Sequence, residues 1–393
     1  MSQTVLVRVT GMDKPGITAG ILHILADAGA EVFDIEQVVV TDRLNLGLLV
    51  GFDEAHPPLK DLLYFGWQRG IHIDFELVQP PDESPLPAQF AVTVIGNELS
   101  PVALGGVADA IVAGGGNIER ISRLSRYPVL SYELLVVGGS MDDLRRELLN
   151  ASSQHQVDIA VQPEGLARRA KRLVVIDMDS TLIRDEVIDL LAEEAGVADE
   201  VRRLTSAAMH GDMDFETALR SRVAMLKGLP ADRLDSVIHR LRLTPGAKTF
   251  SRTLRRLGFR TAVVSGGFTV FAARVQQALR IDYAFANELE IVDGLLTGEV
   301  IGEVIDGSAK ARLLESIARQ EGIPIEQTVA VGDGANDLEM LSRAGLGIAF
   351  NAKPIVDAAA DTTLKVPYLD AILFVLGIRR SDIEAADRAD NGS

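Results

Sequence analysis

The sequence predicts an α/β chain, with a doubly wound parallel sheet and a helical cap, preceded by two smaller α+β repeats. Three observations lead to this prediction. Two N-terminal segments share the order β-α-β-β-α-β, and a proline-rich spacer separates them. From residue 171 onward, short apolar strands alternate with helical stretches, which is typical of a parallel sheet with helices on both faces.

Composition limits the possible functions. The chain has 393 residues, 47% of them apolar and 24% charged, as expected for two or three folded domains. Its formal charge of −17 makes nucleic acid and anionic membranes unlikely partners. The absence of cysteine excludes disulfides and thiolate chemistry, and no apolar run reaches the roughly 18 residues of a membrane span. We therefore expect a cytoplasmic protein.

The first repeat is predicted over residues 1–79 and the second over 89–163. Gly29 aligns with Gly115, and Ile35 with Ile121, at a constant offset of 86 residues. The spacer between the repeats, residues 80–88, includes most of the sequence QPPDESPLP, whose four prolines favour an extended linker.

A basic segment, residues 164–172, is predicted to be a linker helix that leads into the α/β domain at residues 173–380. Residues 186–245 of that domain are largely helical in pattern and long enough to form a cap over a site. The polar residues 381–393 predict a frayed tail.

Acidic side chains follow two of the predicted strands. Asp177 and Asp179 come directly after a buried strand in the sequence RLVVIDMDSTL, and Asp333 follows a later strand. The carboxyl ends of parallel strands share one edge of a sheet, so these oxygen ligands predict an Mg²⁺ site. Each motif alone also fits a helix cap, while an EF-hand calcium loop is disfavoured because its acidic spacing is missing.

A third strand ends at Ser265-Gly266-Gly267, where glycine allows backbone amides to approach an anion closely. Lys310 opens a later helix. Taken separately, these features also fit a tight turn and a solvated surface lysine.

Together, in fixed order, D-x-D-x-T, Ser-Gly, Lys and G-D-G-x-N-D resemble the four motifs of the haloacid dehalogenase-like phosphotransferase superfamily, over residues 171 to about 370. The resemblance implies that Asp177 is the nucleophile that forms an aspartyl-phosphate and that Asp179 is the general acid and base. It also implies a metal site formed by Asp177, Asp333 and the backbone carbonyl of Asp179, with Mg²⁺ expected and Mn²⁺ as the alternative.

The same resemblance assigns the phosphoryl oxygens to Ser265, the Gly266 amide and Lys310. Asn336 and Asp337 would orient the metal shell and the lysine.

Within the cap, the strings EVIDLLAEEAG and LTSAAMHGDMDFETALRSRVAMLKGLP resemble phosphoserine phosphatases. By that resemblance, Glu186 binds the substrate ammonium group and Arg222 its carboxylate, while Met209 and Phe215 form an apolar wall. Gly267 and Asn336 are also expected at the substrate. The alternatives are solvated helix charges for Glu186 and Arg222, and ordinary cap core for Met209 and Phe215.

The resemblance implies hydrolysis of O-phospho-L-serine to L-serine and phosphate, the last step of L-serine biosynthesis. Two alternatives remain open: a related phosphatase for another small phosphomonoester, and a non-catalytic amino-acid sensor with a phosphatase fold.

The repeats, with D-K-P-G at the first strand-to-helix turn, resemble ferredoxin-like ACT domains, which commonly bind amino acids. This resemblance implies a serine effector site near Asp13, Gly16 and Asn117, and feedback inhibition by serine. With the offset of 86, Gly16 corresponds to Val102, which places the niche of the second copy in doubt. The alternative is that the repeats only dimerise the enzyme, and a homodimer is expected in either case.

Overall fold

A computed structural model describes residues 2–53, 57–79, 87–209, 214–352, 356 and 360–391. The side chains of residues 2, 206–209 and 391 lie outside the description. The chain divides into two compact units, Met1–Leu86 and Pro87–Ser393.

The first unit has the predicted β-α-β-β-α-β order. Its elements are β1 Ser2–Met12, α1 Ile17–Asp27, β2 Glu31–Val40, β3 Arg43–Asp53, α2 Leu59–Arg69 and β4 Ile71–Val78. They form an antiparallel sheet in the order β2-β3-β1-β4. Alternate residues of β1, among them Val5 and Val7, face the buried side of α1, so the strand period and the helix period meet in one apolar core.

The second repeat, in the other unit, has the same order. Its elements are β5 Gln89–Gly96, α3 Pro101–Ala113, β6 Gly116–Ser125, β7 Leu130–Gly138, α4 Met141–His155 and β8 Asp158–Pro163. Strand β5 pairs with both β7 and β8, and β6 lies at the edge beyond β7.

The uniform offset of 86 between the repeats is wrong at the start of the first helix. Helix α1 begins after Gly16 and α3 begins after Ser100, an offset of 84, because α3 has 13 residues and α1 has 11. Gly16 therefore corresponds to Ser100 and not to Val102. The two caps differ: Gly16 has a left-handed φ of 87°, whereas the extended Ser100 accepts a hydrogen bond from the Ala103 amide.

The α/β part of the second unit begins with a short helix, α5 Leu166–Arg169. Its strands are β9 Leu173–Ile176, β10 Arg260–Phe268, β11 Tyr283–Val292, β12 Leu295–Ile301, β13 Thr328–Gly332, β14 Gly347–Phe350 and β15 Thr362–Leu364. The α-helices that follow α5 are α6 Val187–Ala195, α7 Ala198–Met209, α8 Phe215–Ala224, α9 Arg233–Arg240, α10 Ala247–Arg256, α11 Thr269–Leu279, α12 Gly307–Gln320, α13 Leu338–Arg343, α14 Ile372–Val375 and α15 Arg380–Asn391.

Strand β9 lies in the middle of the parallel region, between β10 and β13. The four residues of β9 are all buried, as their continuous apolar run predicts for a strand covered on both faces. Helices α6–α9 form the cap between β9 and α10, and Leu243, which follows α9, forms an isolated bridge with Ile183. The cap therefore leaves and returns near the carboxyl end of β9.

The sheet of the second repeat is continuous with the sheet formed by β9–β15. Strand β8 pairs with β15 through Ala160 and Thr362, which gives one sheet of 11 strands. The Asp158 carboxylate accepts the amides of Lys365 and Val366 at 2.7 and 3.0 Å. The strand patterns alone predict two separate sheets, because a pairing across some 200 residues leaves no local signal.

The C-terminal residues are helical in α15, where the polar composition predicts a frayed tail. Ile383 is only 2% exposed, and the carboxylate of Asp387 pairs with Arg252 and Arg256 at 2.6 Å. These contacts hold a helix that lacks a strong apolar stripe. None of the described helices combines the length and hydropathy needed to cross a membrane.

Candidate active site

The candidate site lies at the carboxyl end of β9. Asp177 directly follows the strand, and its amide donates to the Val331 carbonyl at 2.9 Å. The chain then makes a tight turn over Met178–Leu182, in which Asp179 is extended with φ −66° and ψ 137°. Ser180 has a left-handed φ of 55° within this turn, a conformation uncommon for a residue with a side chain. The tight turn places two carboxylates, two residues apart, at the same end of the sheet.

Lys310 is fully buried between two carboxylates. Its Nζ lies 2.8 Å from Asp177 Oδ1 and 2.7 Å from Asp337 Oδ1. Burial by itself would lower the pKa of Lys310, but the two carboxylates raise it above its ordinary value, so the ammonium form is retained. Sequence reasoning expected a solvated surface lysine as the alternative, and burial rules that alternative out.

Asp337 has a supporting position. Its Oδ1 accepts from Lys310, and its Oδ2 accepts the amides of Asp333 and Gly334 at 3.1 and 3.0 Å. Both oxygens are therefore engaged. The Asp337 carboxylate fixes the lysine and the turn that carries Asp333.

The two acidic strand ends meet, as the parallel-sheet argument predicts. One carboxylate oxygen from each of Asp177, Asp333 and Asp337 lies within 4.8 Å of the others. Because both Asp337 oxygens already accept hydrogen bonds, Asp177 and Asp333 are the pair better able to face a cation. Asp179, to which the resemblance assigns a backbone carbonyl ligand, is not one of the three.

The electrostatics of this cluster favour a divalent cation. Burial raises the pKa of Asp177 well above its ordinary range, and the carboxylates of Asp337 and Asp333 act in the same direction while Lys310 opposes them. A cation bound to hard carboxylate oxygens would offset this repulsion, and such ligands suit Mg²⁺ or Mn²⁺. The Thr181 hydroxyl donates to Asp333 Oδ1 at 3.2 Å and so helps to orient one of the expected ligands.

Asp179 is in the environment that a general acid needs. Its Oδ1 accepts the Val187 amide at 3.4 Å. Burial, and after it the nearby Glu186 carboxylate, raise the pKa of Asp179 well above its ordinary range, which favours the protonated form. Glu186 is in turn held by the Ser180 hydroxyl, which donates to its Oε1 at 2.7 Å.

The last residues of β10 are packed closely against the cap and Asp179. A Cβ on Gly266 would lie 2.9 Å from Cζ of Phe215, and a Cβ on Gly267 would lie 2.8 Å from Oδ2 of Asp179. Ser265 is fully buried, and its Oγ accepts the Gly267 amide at 2.9 Å. A side chain at Gly266 would displace the Phe215 ring of the cap, and one at Gly267 would displace the Asp179 carboxylate.

A cavity of about 1120 Å³ connects the carboxylates to the cap. Residues predicted for catalysis, metal and substrate line it together: Asp177, Asp179, Glu186, Phe215, Arg222, Gly266, Gly267, Asp333 and Asn336. Arg222 is half-buried, and its Nε donates to the Ala218 carbonyl at 3.2 Å. Burial lowers the pKa of the Arg222 guanidinium, while Glu186, Asp189 and Asp179 counteract this effect.

The remaining predicted residues lie elsewhere or cannot be placed. Met209 ends helix α7, and its side chain falls outside the described residues. Asp13 is exposed just before α1 in the first unit, and Gly16 caps that helix. Asn117 is exposed on the edge strand β6 of the second repeat.

Sequence reasoning missed three residues that support the site. Asp306 caps the lysine helix α12, since its Oδ1 accepts the Ala309 amide at 2.8 Å. The sequence D-G-S-A-K, with Asp before a helical pattern, carries this signal. Asp189 and Thr205 line the cavity from α6 and α7, but an isolated polar residue on an amphipathic helix gives no comparable signal.

Family models match three parts of the chain. Residues 174–342 match the haloacid dehalogenase-like hydrolases, and residues 3–76 and 88–162 each match an ACT domain. The fold and the site thus define a hydrolase domain of this class preceded by two ACT domains.

Curated relatives narrow the class. The phosphoserine phosphatase of Streptomyces coelicolor is 49% identical over 393 residues, which covers 98% of this chain and 94% of the relative. That of Mycobacterium tuberculosis is 46% identical, with 99% and 97% covered. A solved structure described as a phospho-aspartyl intermediate analogue of phosphoserine phosphatase is 48% identical, with a TM-score of 0.50, and covers 52% of this chain and 98% of its own. The chain belongs to the phosphoserine phosphatase family of haloacid dehalogenase-like hydrolases.

Proposed function

We propose that this protein hydrolyses O-phospho-L-serine to L-serine and phosphate through an aspartyl-phosphate on Asp177. The proposal depends on one observation: Asp177, Asp179, Glu186 and Arg222 line the same cavity. The two catalytic carboxyl groups suit phosphoryl transfer, and the two cap residues complement the ammonium and carboxylate groups of the substrate. The names of the full-length relatives support the same substrate.

In the first half-reaction, a carboxylate oxygen of Asp177 attacks phosphorus. The bond from phosphorus to the serine oxygen breaks, and Asp179 donates its carboxyl proton to that leaving oxygen. Burial raises the pKa of Asp179, which favours the protonated form that this step uses. L-Serine is released, and the phosphoryl group remains on Asp177.

In the second half-reaction, Asp179 is a carboxylate and acts as the base. It removes a proton from a water molecule whose oxygen attacks phosphorus, and the bond between phosphorus and the Asp177 oxygen breaks. Phosphate is released, Asp177 is again a carboxylate and Asp179 is again protonated. The buried Lys310 ammonium, 2.8 Å from Asp177, stabilises the negative charge on the transferred group in both steps.

Asp177 and Asp333 would hold the Mg²⁺ ion, with the Asp179 carbonyl as a third ligand. When bound, the ion offsets repulsion between the aspartate nucleophile and the phosphate dianion and polarises the phosphoryl oxygens. Asp337 and Thr181 hold the surrounding groups in place, since the first anchors Lys310 and the second donates to Asp333.

Phosphate release from O-phospho-L-serine tests the chemistry. We expect Asp177→Asn to lower kcat by about 10⁴-fold or more, because an amide cannot act as the nucleophile. The exposed Asp232 provides a matched control, and Asp232→Asn should leave turnover unchanged. Chelation should abolish wild-type activity, and added Mg²⁺ or Mn²⁺ should restore it. Full activity of Asp177→Asn would exclude the aspartyl-phosphate route.

Substrate identity is tested at Arg222. We expect Arg222→Ala to raise KM for O-phospho-L-serine by about 10- to 100-fold, the value of a lost charged hydrogen bond, and to leave KM for phosphoethanolamine unchanged because that ester has no carboxylate. Arg220 on the same helix pairs with Glu216 at 2.8 Å, so Arg220→Ala is the matched control. An equal effect on all esters would favour the alternative, another small phosphomonoester.

We further propose that the reaction completes L-serine synthesis and that serine inhibits it through the ACT domains of a homodimer. Two ACT matches support regulation by an amino acid. Strand β2 supports dimerisation, since this edge strand is exposed at all ten positions and carries Phe33, Ile35 and Val38. An exposed apolar edge strand generally requires a covering partner. A cytoplasmic location stays a prediction from the cysteine-free sequence.

Serine titration of the full chain tests the regulatory proposal. We expect wild-type turnover to fall as millimolar serine is added, and Gly16→Ala to weaken that inhibition, because a side chain is strained at a φ of 87° and narrows the niche. If the second ACT copy also binds serine, Asn117→Ala should weaken the inhibition as well. Serine that inhibits wild type and Gly16→Ala equally would assign the inhibition to product binding at the active site.

A further inference from the structure

Asn287, on strand β11, has a buried side chain that links the end of β10 to the segment before α12. It is 2% exposed. Its Nδ2 donates to the Gly266 carbonyl at 2.8 Å, and its Oδ1 accepts the Ile305 amide at 2.8 Å. Because both ends of the amide are engaged with the backbone, its orientation is fixed. No motif in the sequence draws attention to this residue.

The first hydrogen bond sets the peptide plane between Gly266 and Gly267. In a trans peptide, the carbonyl of one residue and the N–H of the next point to opposite sides of a rigid plane. The Gly266 carbonyl is held by Asn287, and the Gly267 N–H donates to Ser265 Oγ at 2.9 Å. Two consecutive glycines would otherwise leave this plane free to rotate.

This arrangement determines what the Ser265 hydroxyl can do. A hydroxyl has one proton to donate and two lone pairs to accept with. Since Ser265 Oγ already accepts from the Gly267 amide, its proton remains available for a phosphoryl oxygen. Asn287 therefore acts on the expected anion-binding hydroxyl through one intervening peptide group.

The second hydrogen bond, with the Ile305 amide, reaches the side of the site that carries Lys310. Ile305 directly precedes Asp306, whose side chain caps α12, and that helix carries Lys310. The Asn287 amide thus links the carboxyl end of β10 to the segment just before the helix that carries Lys310. The distance between the Ser265 hydroxyl and the Lys310 ammonium depends on both segments remaining in place.

We propose that Asn287 is a positioning residue for phosphoryl recognition, which holds the Gly266–Gly267 peptide so that Ser265 donates to the phosphoryl group opposite Lys310. This inference rests on the proposed phosphatase function. Both ends of the Asn287 amide are bonded to backbone groups, so it acts through the backbone and not by touching substrate.

The test compares two buried amides in the full chain. Gln162 is 5% exposed, and its Nε2 donates to the Val375 carbonyl at 2.8 Å, the same kind of bond as that of Asn287, far along the sheet from β10. We expect Asn287→Ala to lower kcat about 10- to 100-fold, less than the roughly 10²- to 10³-fold loss when an oxyanion donor is removed, because the Ser265 hydroxyl is retained but displaced. The inhibition constant of inorganic phosphate should rise about tenfold. Gln162→Ala should lower Tm and change neither constant. Wild-type values of both constants in Asn287→Ala would overturn the proposal.

A second variant covers the case in which Asn287→Ala does not fold. Asn287→Asp keeps the volume and still accepts the Ile305 amide, but a carboxylate cannot donate to the Gly266 carbonyl. We expect the same loss of kcat and of phosphate binding, and unaltered constants would again overturn the inference. Failure of the proposed function gives a different result, because wild type itself would then not hydrolyse O-phospho-L-serine, while calorimetry with phosphate would still compare the variants.

Discussion

The two ACT repeats have the same order of strands and helices but different environments at their fourth strands. Strand β4 is the edge of a four-stranded sheet, whereas β8 continues into the catalytic sheet through β15. On β4, Asp74 and Glu76 form half-exposed ion pairs with Arg8 at 2.8 and 3.0 Å. On β8, Asp158 and Gln162 are buried and bond to backbone groups of the catalytic domain.

The same fold is therefore used in two ways. Each repeat has an apolar cluster of its own, and the second repeat also contributes Ile95, Leu124, Val129 and Ala160 to the apolar cluster of the catalytic domain. The second repeat is therefore a structural part of the catalytic unit. Its role follows from side chains on β5, β6 and β8 and before β7, and not from the order of strands and helices, which the first repeat shares.

The largest effect is expected at the shared core. Phe374 on α14 is fully buried in the cluster that includes residues of the second repeat, so Phe374→Ala should reduce the free energy of unfolding by about 3–5 kcal/mol. Differential scanning calorimetry and the temperature at which turnover is lost measure this change. Phe52→Ala, at a 3% exposed position of the first unit, should cost a similar amount without affecting turnover at low temperature. Loss of turnover in Phe52→Ala at low temperature would contradict the distinction between the two repeats.

An intermediate effect is expected where β8 bonds to the catalytic backbone. Asp158→Ala leaves the amides of Lys365 and Val366 without their acceptor, which should cost about 2–4 kcal/mol. Chemical denaturation measures it, and Asp158→Asn, which keeps an acceptor oxygen, should cost less. On the fourth strand of the other repeat, Asp74→Ala removes an exposed ion pair and an exposed hydrogen bond from the Phe75 amide, and it should shift Tm much less than Asp158→Ala. Equal shifts at the two strands would contradict the distinction.

The smallest effect is expected at the helix caps. Ser100→Ala removes the hydrogen bond to the Ala103 amide and should cost about 1 kcal/mol, whereas Ser100→Gly should cost only a few tenths. Gly16→Ala should cost about 1 kcal/mol for a different reason, since it strains a left-handed φ of 87°. Thermal unfolding of each variant tests whether Ser100 and Gly16 stabilise their helices by these different means. A Val102→Ala variant, at a 74% exposed position, should have little effect.

Much of the fold follows from local sequence. The repeat order, the buried strand β9 and the helical character of the cap all have periodicities that single segments display. The four motifs also placed Asp177, Lys310 and Asp333 at the ends of elements where the structure finds them. The offset of 86 failed because two extra residues within α3 leave the pattern on each side unchanged.

Other parts of the site had no local signal. Asn287 is important because it bonds to Gly266 and Ile305, each about 20 residues away, and its own neighbours in sequence say nothing of those bonds. The burial of Lys310 and the ordered helix α15 likewise depend on contacts with distant elements. Propensity and periodicity describe local sequence and do not predict such contacts.

Residue type and short-range spacing were enough to predict the class of each domain and the order of the motif residues. The folded chain was needed to show that Asp177 and Asp337 both contact Lys310, that Asn287 bonds to Gly266 and that the second repeat joins the sheet of the hydrolase domain. Hydrogen bonds and ion pairs between buried groups depend on distances in space, and only the packed chain brings residues far apart in sequence to within 3 Å.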